Sequence, residues 1–375
     1  MEVLGSALLA FVLTLAGQHL VTPFARSLGM LDHPSGRKDH SAPTPTVGGI
    51  AMLVGVLVAG LVFAGSGGAP SLGFQLAAIV IILIGMLDDK YDIPWQARIG
   101  AQALAALVMV YVGGIRVQQL GDIVDLPPGS LGLMSVPFTV FITIGIVNAV
   151  NMIDGSDGLA GVLVLCALCM IEAAALYSGD GSVSQRVPLL IGAVAAFLVH
   201  NLRTPWQTRA RIFMGNAGSA FLGLAIACFV VKLTQNPAHP VSPVLGPWLI
   251  AVPIIDCLVL MIRRVREGRS PFSADRNHIH HLMQGAGFTP TQAALWLGAF
   301  SCACGLFAAS MLRLHVRHVI LVTLFIGIGA AWYWVSSNRA RAVGLLRKLR
   351  HPFASRAKQV GDAYTKPRRM DGETS

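Results

Sequence analysis

Charged residues are scarce in this chain: Asp, Glu, Lys and Arg together make up only 12% of its 375 residues. Hydrophobic residues make up 54%, and the mean hydropathy is +0.65. A water-soluble globular domain carries about 25% charged residues, so the composition excludes that class. It favours an all-α polytopic membrane protein.

Cysteine pairs, sequence repeats and a basic N-terminus are lacking as well. Cys166 and Cys169 have the spacing of a redox or zinc motif, but no histidine or second cysteine pair lies near them in the sequence. We therefore interpret the six cysteines as small buried hydrophobic residues. Because Met1 and Glu2 bring no positive charge, a cleaved signal peptide is not expected.

Apolar runs long enough to cross a bilayer recur along the chain. A membrane-spanning helix needs about 20 residues, and we predict about eleven such helices, several of them short. They cover residues 3–22, 47–64, 73–88, 98–114, 134–150, 158–178, 187–201, 211–233, 242–262, 291–311 and 318–336. Residues 1–336 are thus expected to form the membrane domain, and residues 337–375 a basic cytoplasmic tail.

The distribution of basic residues predicts the orientation. Most of the 28 Lys and Arg residues fall in the loops after odd-numbered spans and in the C-terminal tail. By the positive-inside rule, this side is cytoplasmic, so the N-terminus is periplasmic and the C-terminus cytoplasmic. The net charge of +10 reflects this bias and the tail, which we expect to contact anionic lipid headgroups rather than nucleic acid.

The stretch 148–161 places two carboxylates and two carboxamides in an otherwise apolar chain. Asn148, Asn151, Asp154 and Asp157 follow one another at intervals of three residues, so a helical turn brings them towards one face. A charge at the membrane costs a few kcal/mol even on lenient scales, and such residues tend to be functional. This stretch is the only predicted cytoplasmic loop without Lys or Arg, and we predict a site here, with Asp154 and Asp157 as catalytic candidates.

A second acidic cluster lies at the end of the third predicted span. Asp88, Asp89 and Asp92 fit on one helical turn, where three anions repel one another unless a cation lies between them. Mg²⁺ suits such carboxylates together with substrate phosphates. The alternative is a solvated helix end with Lys90 as the counter-charge. We favour the magnesium site.

Basic side chains fill two other predicted cytoplasmic loops, and a third loop is rich in glycine. Arg37, Lys38 and His40 are anion-binding types, although topology alone also requires a basic loop. The longest loop contains Arg264, Arg269, Arg276, His278, His280 and His281. Phosphate groups suit this set better than zinc, because the arginines repel a divalent cation. Residues 215–219, at the start of a span, are expected to offer backbone N–H groups to phosphate.

Taken together, the loops supply carboxylates for a cation and basic groups for oxyanions at one face of a membrane bundle. That combination is typical of phosphoryl transfer, in which catalysis is mostly positioning and charge neutralisation. A substrate reached from both the bilayer and the cytosol would be a lipid phosphate that meets a water-soluble phosphate donor.

The ordered motifs resemble those of the polyprenyl-phosphate N-acetylhexosamine-1-phosphate transferases. The resemblance covers about residues 20–290 and rests on Asp32-x-Pro34, Arg37-Lys38-x-His40, Pro45-x-x-Gly48-Gly49, Asp88-Asp89-x-x-Asp92, Asn148-x-x-Asn151-x-x-Asp154-Gly-x-Asp157-Gly, Phe213-Met-Gly-x-x-Gly-Ser219 and the loop that ends in His278-Ile-His280-His281. The run from Arg269 to His281 is similar to that of the bacterial undecaprenyl-phosphate N-acetylglucosamine-1-phosphate transferases, which start O-antigen and related surface glycans.

The resemblance implies a multi-pass protein of the bacterial inner membrane that uses UDP-GlcNAc, undecaprenyl phosphate and Mg²⁺, with Mn²⁺ as an alternative. It implies that Asp88 and Asp89 bind the cation or accept the lipid phosphate's proton, with Asp157 facing the metal. Asn148, Asn151 and Asp154 would position the nucleotide and Phe213 would lie against uracil. The three histidines and the arginines would hold the diphosphate.

One position departs from the family pattern. The family's metal-binding Asp after Gly215 is Asn216 here, so an amide oxygen without charge would take that place in the metal shell. Because of Asn216, a catalytically impaired scaffold stays open as an alternative. Another UDP-N-acetylhexosamine donor and a secondary transporter stay open as well. A transporter would place its acidic residues near mid-span, and only Glu172 and Asp256 lie there. We interpret Asp256 as a packed polar residue. The sequence leaves the oligomeric state open, a homodimer included.

Overall fold

The computed structural model describes residues 2–25, 27, 29–32, 43–64, 67–68, 70–121, 131–273, 275 and 277–350. Within these residues the fold is helical apart from one two-stranded antiparallel ladder, β1 (Leu31–Asp32) with β2 (Thr44–Pro45). The helices are α1 Glu2–Ala25, α2 Gly48–Val62, α3 Leu72–Tyr91, α4 Trp95–Tyr111, α5 Ser135–Ile153, α6 Leu159–Ser178, α7 Gly181–Ser184, α8 Val187–Asn201, α9 Gly215–Thr234, α10 Leu245–Leu249, α11 Ala251–Arg266, α12 Ile279–Gly285, α13 Pro290–Arg313 and α14 His318–Ser336.

Helix α9 is the centre of the bundle. It packs against α2, α3, α5 and α6, and 94% of its apolar span is buried. A helix that is hydrophobic on all sides is stable only when it is enclosed. Because its neighbours fix α9 on every side, the N-terminal end of α9 is a rigid support for side chains from α3 and α5.

The outer helices expose apolar surface instead. Only 22% of the apolar span of α1 and 11% of that of α14 is buried, and Leu4, Leu8 and Ile326 are among the exposed large side chains. Such a surface suits the hydrocarbon of a bilayer. Eight described helices are long and apolar enough to cross a membrane, which supports a polytopic membrane protein.

A helix lies at each of the eleven segments predicted to span the membrane. However, α2 and α4 are shorter than the eight long apolar helices, and α8 counts among the eight only together with α7, as Gly181–Asn201. The predicted segment 242–262 is divided between α10 and α11 at Ile250, which has the non-helical angles φ −129° and ψ 38°. Eleven spans and the orientation of the termini therefore stay predictions. A further helical run, 339–350, follows α14 and begins the predicted basic tail.

Candidate active site

Three helices meet at one end of the bundle because glycines line their contacts. A Cβ on Gly49 of α2 would lie 2.3 Å from the Cα of Gly218 in α9. A Cβ on Gly85 of α3 would lie 2.3 Å from the Cα of Ala217. No side chain fits at such distances, so glycine lets the backbones of α2 and α3 reach the start of α9.

Asp89, near the end of α3, caps the N-terminus of α9. Its carboxylate accepts hydrogen bonds from the backbone N–H of Asn216 at 2.8 Å and of Ala217 at 3.4 Å. Gly215 has a φ of +72°, and a Cβ there would lie 2.5 Å from Asp89 Oδ2. The expectation that these N–H groups are free for phosphate is therefore wrong: Asp89 fills the helix end.

Asp88 is buried beside Asp89 and is 4% exposed. Its Oδ2 accepts a hydrogen bond from Arg98 Nη1 at 3.1 Å, whereas its buried Oδ1 has no partner in the structure. The sequence analysis missed Arg98, although it follows Pro94 at the start of α4 and so lies one short turn from the acidic cluster. An unpartnered buried carboxylate oxygen calls for a cation or a donor from a ligand.

The two predicted asparagines of α5 are fixed by other amides. Asn151 donates to Asn216 Oδ1 at 3.0 Å and to Ser219 Oγ at 2.9 Å, both on α9. Asn148 donates to Gln102 Oε1 at 2.6 Å, on α4. A polar cavity opens between these helices, and its polar lining consists of Asp88, Arg98, Gln102, Asn148, Asn151 and Asn216.

Asp154 lies just beyond α5 and faces the acidic end of α3. Burial raises its pKa to about 7, and the nearby charges of Asp89 and Asp157 add to the shift. Its side chain accepts no hydrogen bond from any residue that the structure describes. Asp154 is therefore the carboxylate of this loop that is poised for a cation or a proton.

Asp157 has a different environment. It is 9% exposed, and its Oδ2 accepts hydrogen bonds from Arg203 Nε at 2.6 Å and from the backbone N–H of Ala210 at 3.1 Å. The loop that contains Asp157 has no Lys or Arg of its own, and Arg203 from the next loop balances the charge of Asp157. Arg203 had no assigned role in the sequence analysis, and only the fold brings it to Asp157.

Two arginines of this region, Arg264 and Arg269, differ in their exposure to solvent. Arg264 is 2% exposed, and its Nη1 donates to the carbonyl oxygen of Pro271 at 2.7 Å. Its Nε lies 3.8 Å from Asp275 Oδ2, so this guanidinium holds the loop together. Arg269 is exposed and pairs with Glu267 at 3.2 Å, which leaves it closer to solvent.

The three histidines occupy three different environments around α12. His278 pairs with Asp256 of α11, with 2.9 Å between Nδ1 and Oδ2. His280 is fully buried, neither ring nitrogen has a hydrogen-bond partner, and its pKa is well below the ordinary value because of burial and the adjacent histidines. His281 is half-buried, with its ring centroid 4.1 Å from that of His280.

Helix α12 is attached to the loop that carries Asp154. Gln284 donates to Ser156 Oγ at 3.0 Å, and a Cβ on Gly155 would lie 2.9 Å from His280 Nε2. The structure therefore joins the histidine cluster to the acidic loop, as the resemblance implied for one common site.

Other predicted site residues are placed as follows. Phe213 is half-buried, and its backbone pairs with the Pro45 carbonyl and the Gly48 N–H at 2.8 and 3.0 Å. Arg37, Lys38, His40 and Arg276 lie outside the described residues.

The carboxylates fit a hard divalent cation, although they do not form a closed cage. No group of three His, Cys, Asp or Glu side chains in the described part of the chain is arranged to hold a metal by itself. Mg²⁺ is usually held by one or two carboxylates together with substrate phosphates. Among the described residues, Asp88 Oδ1 has no hydrogen-bond partner and the Asp154 carboxylate accepts no hydrogen bond, and both suit that open mode. The described histidines do not form a zinc site.

Comparisons with known proteins show which family the chain resembles. Residues 71–234 match the model of glycosyl transferase family 4. The chain is 35% identical over 337 residues to the undecaprenyl-phosphate alpha-N-acetylglucosaminyl 1-phosphate transferase of Haemophilus influenzae, covering 86% of this chain and 94% of that protein. The enzymes of the same name from Pasteurella multocida and Escherichia coli K12 are 33% and 36% identical, over 94% and 72% of this chain and 99% and 73% of those proteins.

These similarities extend over nearly the full length of two relatives, and the matched family region includes the acidic end of α3, the stretch 148–161 and the start of α9. The chain therefore belongs to glycosyl transferase family 4, as a relative of the undecaprenyl-phosphate alpha-N-acetylglucosaminyl 1-phosphate transferases.

Proposed function

We propose that this protein transfers N-acetylglucosamine 1-phosphate from UDP-GlcNAc to undecaprenyl phosphate. An oxygen of the lipid phosphate forms a bond to the sugar-bearing phosphorus, and the bond from that phosphorus to the oxygen of the uridine-linked phosphate breaks. The products are UMP and undecaprenyl-diphospho-GlcNAc. We place the reaction at the cytoplasmic face of a bacterial inner membrane, as the first membrane step of a surface glycan such as O-antigen.

The observation that carries this proposal is the meeting of Asp88, Asp89 and Asp154 at the start of α9, next to the histidines of α12. The charges of Asp88 and Asp89 repel each other, and so do those of Asp89 and Asp154. Carboxylates held together in this way repel one another, and a bound cation or a proton relieves the repulsion. Two phosphate-bearing substrates with a cation supply the matching charge pattern.

Asp88 and Asp154, together with substrate phosphates, would hold Mg²⁺, or Mn²⁺ in its place. Asp89, whose two oxygens accept from the N–H groups of Asn216 and Ala217, would add its negative charge beside them. When bound, the cation would neutralise the charge of the diphosphate and of the departing UMP. Asp157 and Asn216, which the resemblance suggested as metal ligands, have other partners: Arg203 and Ala210 for Asp157, and Asn151 for the amide oxygen of Asn216. These contacts favour Asp154 over Asp157 as the ligand from this loop.

The remaining side chains have positioning roles. Asn151 donates to the side-chain oxygen of Asn216 and to the Ser219 hydroxyl, and Arg98 lines the polar cavity beside Asp88. Arg98 is one-third exposed, so it can release one bond to Asp88 and meet the phosphate of the lipid. The exposed Arg269, the half-buried His281 and His278 would contact the diphosphate of the donor.

A purified-protein assay tests the proposal. The protein is incubated with sugar-labelled UDP-GlcNAc, undecaprenyl phosphate and Mg²⁺, and labelled lipid and free UMP are measured. We expect equal amounts of both products, and none when the cation is chelated. UDP-GalNAc as the donor tests the choice of sugar. A folded protein that forms no labelled lipid from either donor would overturn the proposal.

A catalytically silent scaffold is the second candidate, and Asn216 motivates it, because this position brings no charge to the acidic cluster. The scaffold would bind UDP-GlcNAc or the lipid without releasing UMP. Calorimetric binding together with the assay above separates the two functions. Cross-linking in membranes tests the homodimer, which we propose on the sequence alone.

A further inference from the structure

Asp256 makes more contacts than its position within an apolar helix led us to expect. It lies in α11 and is 2% exposed. Its Oδ2 is 2.9 Å from His278 Nδ1, and its Oδ1 accepts hydrogen bonds from the backbone N–H of Ile279 at 3.1 Å and from Trp332 Nε1 at 3.4 Å. Asp256 is thus packed and hydrogen-bonded, and its two carboxylate oxygens contact the ring of His278, the backbone N–H of Ile279 and the indole of Trp332.

These contacts define the start of α12. His278 is the residue before the helix and its side chain does not cap it. Asp256 supplies the missing acceptor from another helix, and it binds the imidazole of the same residue. The backbone and the ring of His278 are thus fixed by one buried carboxylate. A carboxylate on one ring nitrogen sets the tautomer and leaves the other nitrogen for a ligand.

Few polar groups surround the pair formed by Asp256 and His278. His280 and His281 face His278 from α12, with ring centroids 5.4 and 6.2 Å away. Arg264 interacts electrostatically with Asp256 from the end of α11. On the far side, the ring of Trp332 packs against Phe300 of α13, with 5.9 Å between centroids. Since the Trp332 ring is supported by α13, Asp256 is held from behind as well.

We infer that Asp256 is a positioning residue for the transfer reaction, which acts by orienting His278 so that Nε2 meets an oxygen of the donor's diphosphate. The inference rests on the proposed function. Among the described residues, Nδ1 is the only His278 ring nitrogen with a hydrogen-bond partner. Asp256, His278 and Trp332 all lie beyond residues 71–234, the part that matches the family model.

Asp256→Asn is the direct test, because asparagine keeps the size and can still accept from Ile279. The amide nitrogen cannot accept the Nδ1–H of His278, so the ring loses its fixed tautomer. Removing an outer-shell partner of this type costs about 10–100-fold in activity. We expect kcat/KM for the donor to fall in that range, while KM for the lipid changes little. Glu172→Gln is the matched control: Glu172 is also a carboxylate within a span, and its oxygens have no hydrogen-bond partner in the structure.

A double-mutant cycle separates positioning from general stability. If Asp256 acts through His278, Asp256→Asn has no further effect in the His278→Ala background. Multiplied losses in the double variant would overturn the inference. If Asp256→Asn does not fold, Trp332→Phe replaces it, since that change removes the indole N–H donor to Asp256 and keeps an aromatic ring against Phe300. The same cycle with His278→Ala then applies.

The tautomer gives a second readout that needs no activity. In protein with ¹⁵N-labelled histidine, the His278 signals are identified by their loss in His278→Ala. We expect the proton on Nδ1 in the wild type and a different proton distribution in Asp256→Asn. Identical His278 signals in both proteins would overturn the inference. A wild-type protein that makes no lipid product would instead count against the proposed function and leave this readout intact.

Discussion

Arg203 and Asp157 form an ion pair between two loops, with Nε 2.6 Å from Oδ2, and Asp157 accepts a second hydrogen bond from the Ala210 backbone. The pair joins the acidic loop after α5 to the loop that precedes α9. It gives Asp157 a partner that the sequence analysis did not assign, and it distinguishes this carboxylate from Asp154 three residues earlier.

Asp157→Asn is therefore expected to change stability more than metal dependence. Arg203 is about one-third exposed, so the lost pair is worth up to about 1 kcal/mol. We expect a lower thermal midpoint in detergent and an unchanged Mg²⁺ concentration at half-maximal activity. Arg203→Gln should behave in the same way. A several-fold higher Mg²⁺ requirement in Asp157→Asn alone would identify Asp157 as a metal ligand instead.

Asn216→Asp adds a charge next to Asp89, within the acidic cluster. An aspartate oxygen can still accept the hydrogen bond that Asn151 donates to Asn216 at 3.0 Å. The extra anion attracts a divalent cation, so we expect half-maximal activity at a lower Mg²⁺ concentration than in the wild type. Ser219→Ala, which removes the other acceptor of Asn151, is the control without a charge change. An unchanged Mg²⁺ titration in Asn216→Asp would remove this residue from the surroundings of the metal.

Asp154 predicts a specific pH dependence. Since its pKa is raised to about 7 in the folded protein, it holds a proton below that pH and is an anion that attracts Mg²⁺ above it. We expect the Mg²⁺ requirement to rise by about tenfold for each pH unit below 7, which is the limit for one proton displaced by one cation. Activity measured at several Mg²⁺ concentrations from pH 5.5 to 8 checks this slope. Asp154→Asn should lose it.

The raised pKa of Asp154 also predicts how the stability of the metal-free protein changes with pH. The folded pKa of Asp154 lies above the ordinary value of 3.8, so between these values the folded protein binds a proton that the unfolded chain does not. The contribution of Asp154 to stability therefore falls as pH rises from about 4 to 7. Thermal unfolding in a chelator at pH 5.5 and 7.5 measures it. An Asp154→Asn variant with the same pH response as the wild type would contradict the assignment.

Gly49→Ala is expected to disrupt the end of the bundle. Its Cβ would meet the Cα of Gly218 at 2.3 Å, a backbone atom that cannot move aside, and overpacking of this kind costs about 1–3 kcal/mol. Because Asp89 caps this same end of α9, activity should fall together with the thermal midpoint. Gly100→Ala is the matched control, since no atom lies within 4 Å of a Cβ there. Equal effects of the two changes would refute a close helix contact as the role of Gly49.

The sequence predicted what depends on composition and local spacing. Long apolar runs give helices wherever they occur, so the positions of α3, α6 and α13 could be read from residues 73–88, 158–178 and 291–311. The acidic residues at the ends of α3 and α5 were identified as a site because charges are costly in an apolar chain.

Contacts between distant segments could not be predicted in this way. Asp256 and His278 are 22 residues apart, and Asp157 and Arg203 are 46 apart. The spacing of residues along the chain does not indicate which of several arginines forms an ion pair with a given carboxylate. Asp89 was expected to bind only ligands, yet it caps α9, because the glycines of α2 and α3 bring the helices closer than side chains normally allow. Tertiary packing decides these roles, and one sequence contains no direct signal for it.

The contact between Trp332 and Asp256 has a consequence for how the protein is made. Trp332 belongs to the last long helix, whose span is only 11% buried, and yet it completes the support of His278. During synthesis, the segments that carry the acidic residues leave the ribosome first, and the catalytic end stays incomplete until α14 has been inserted. A chain that stops after α13 should therefore enter the membrane and remain inactive, and α14 supplied as a separate polypeptide should restore activity.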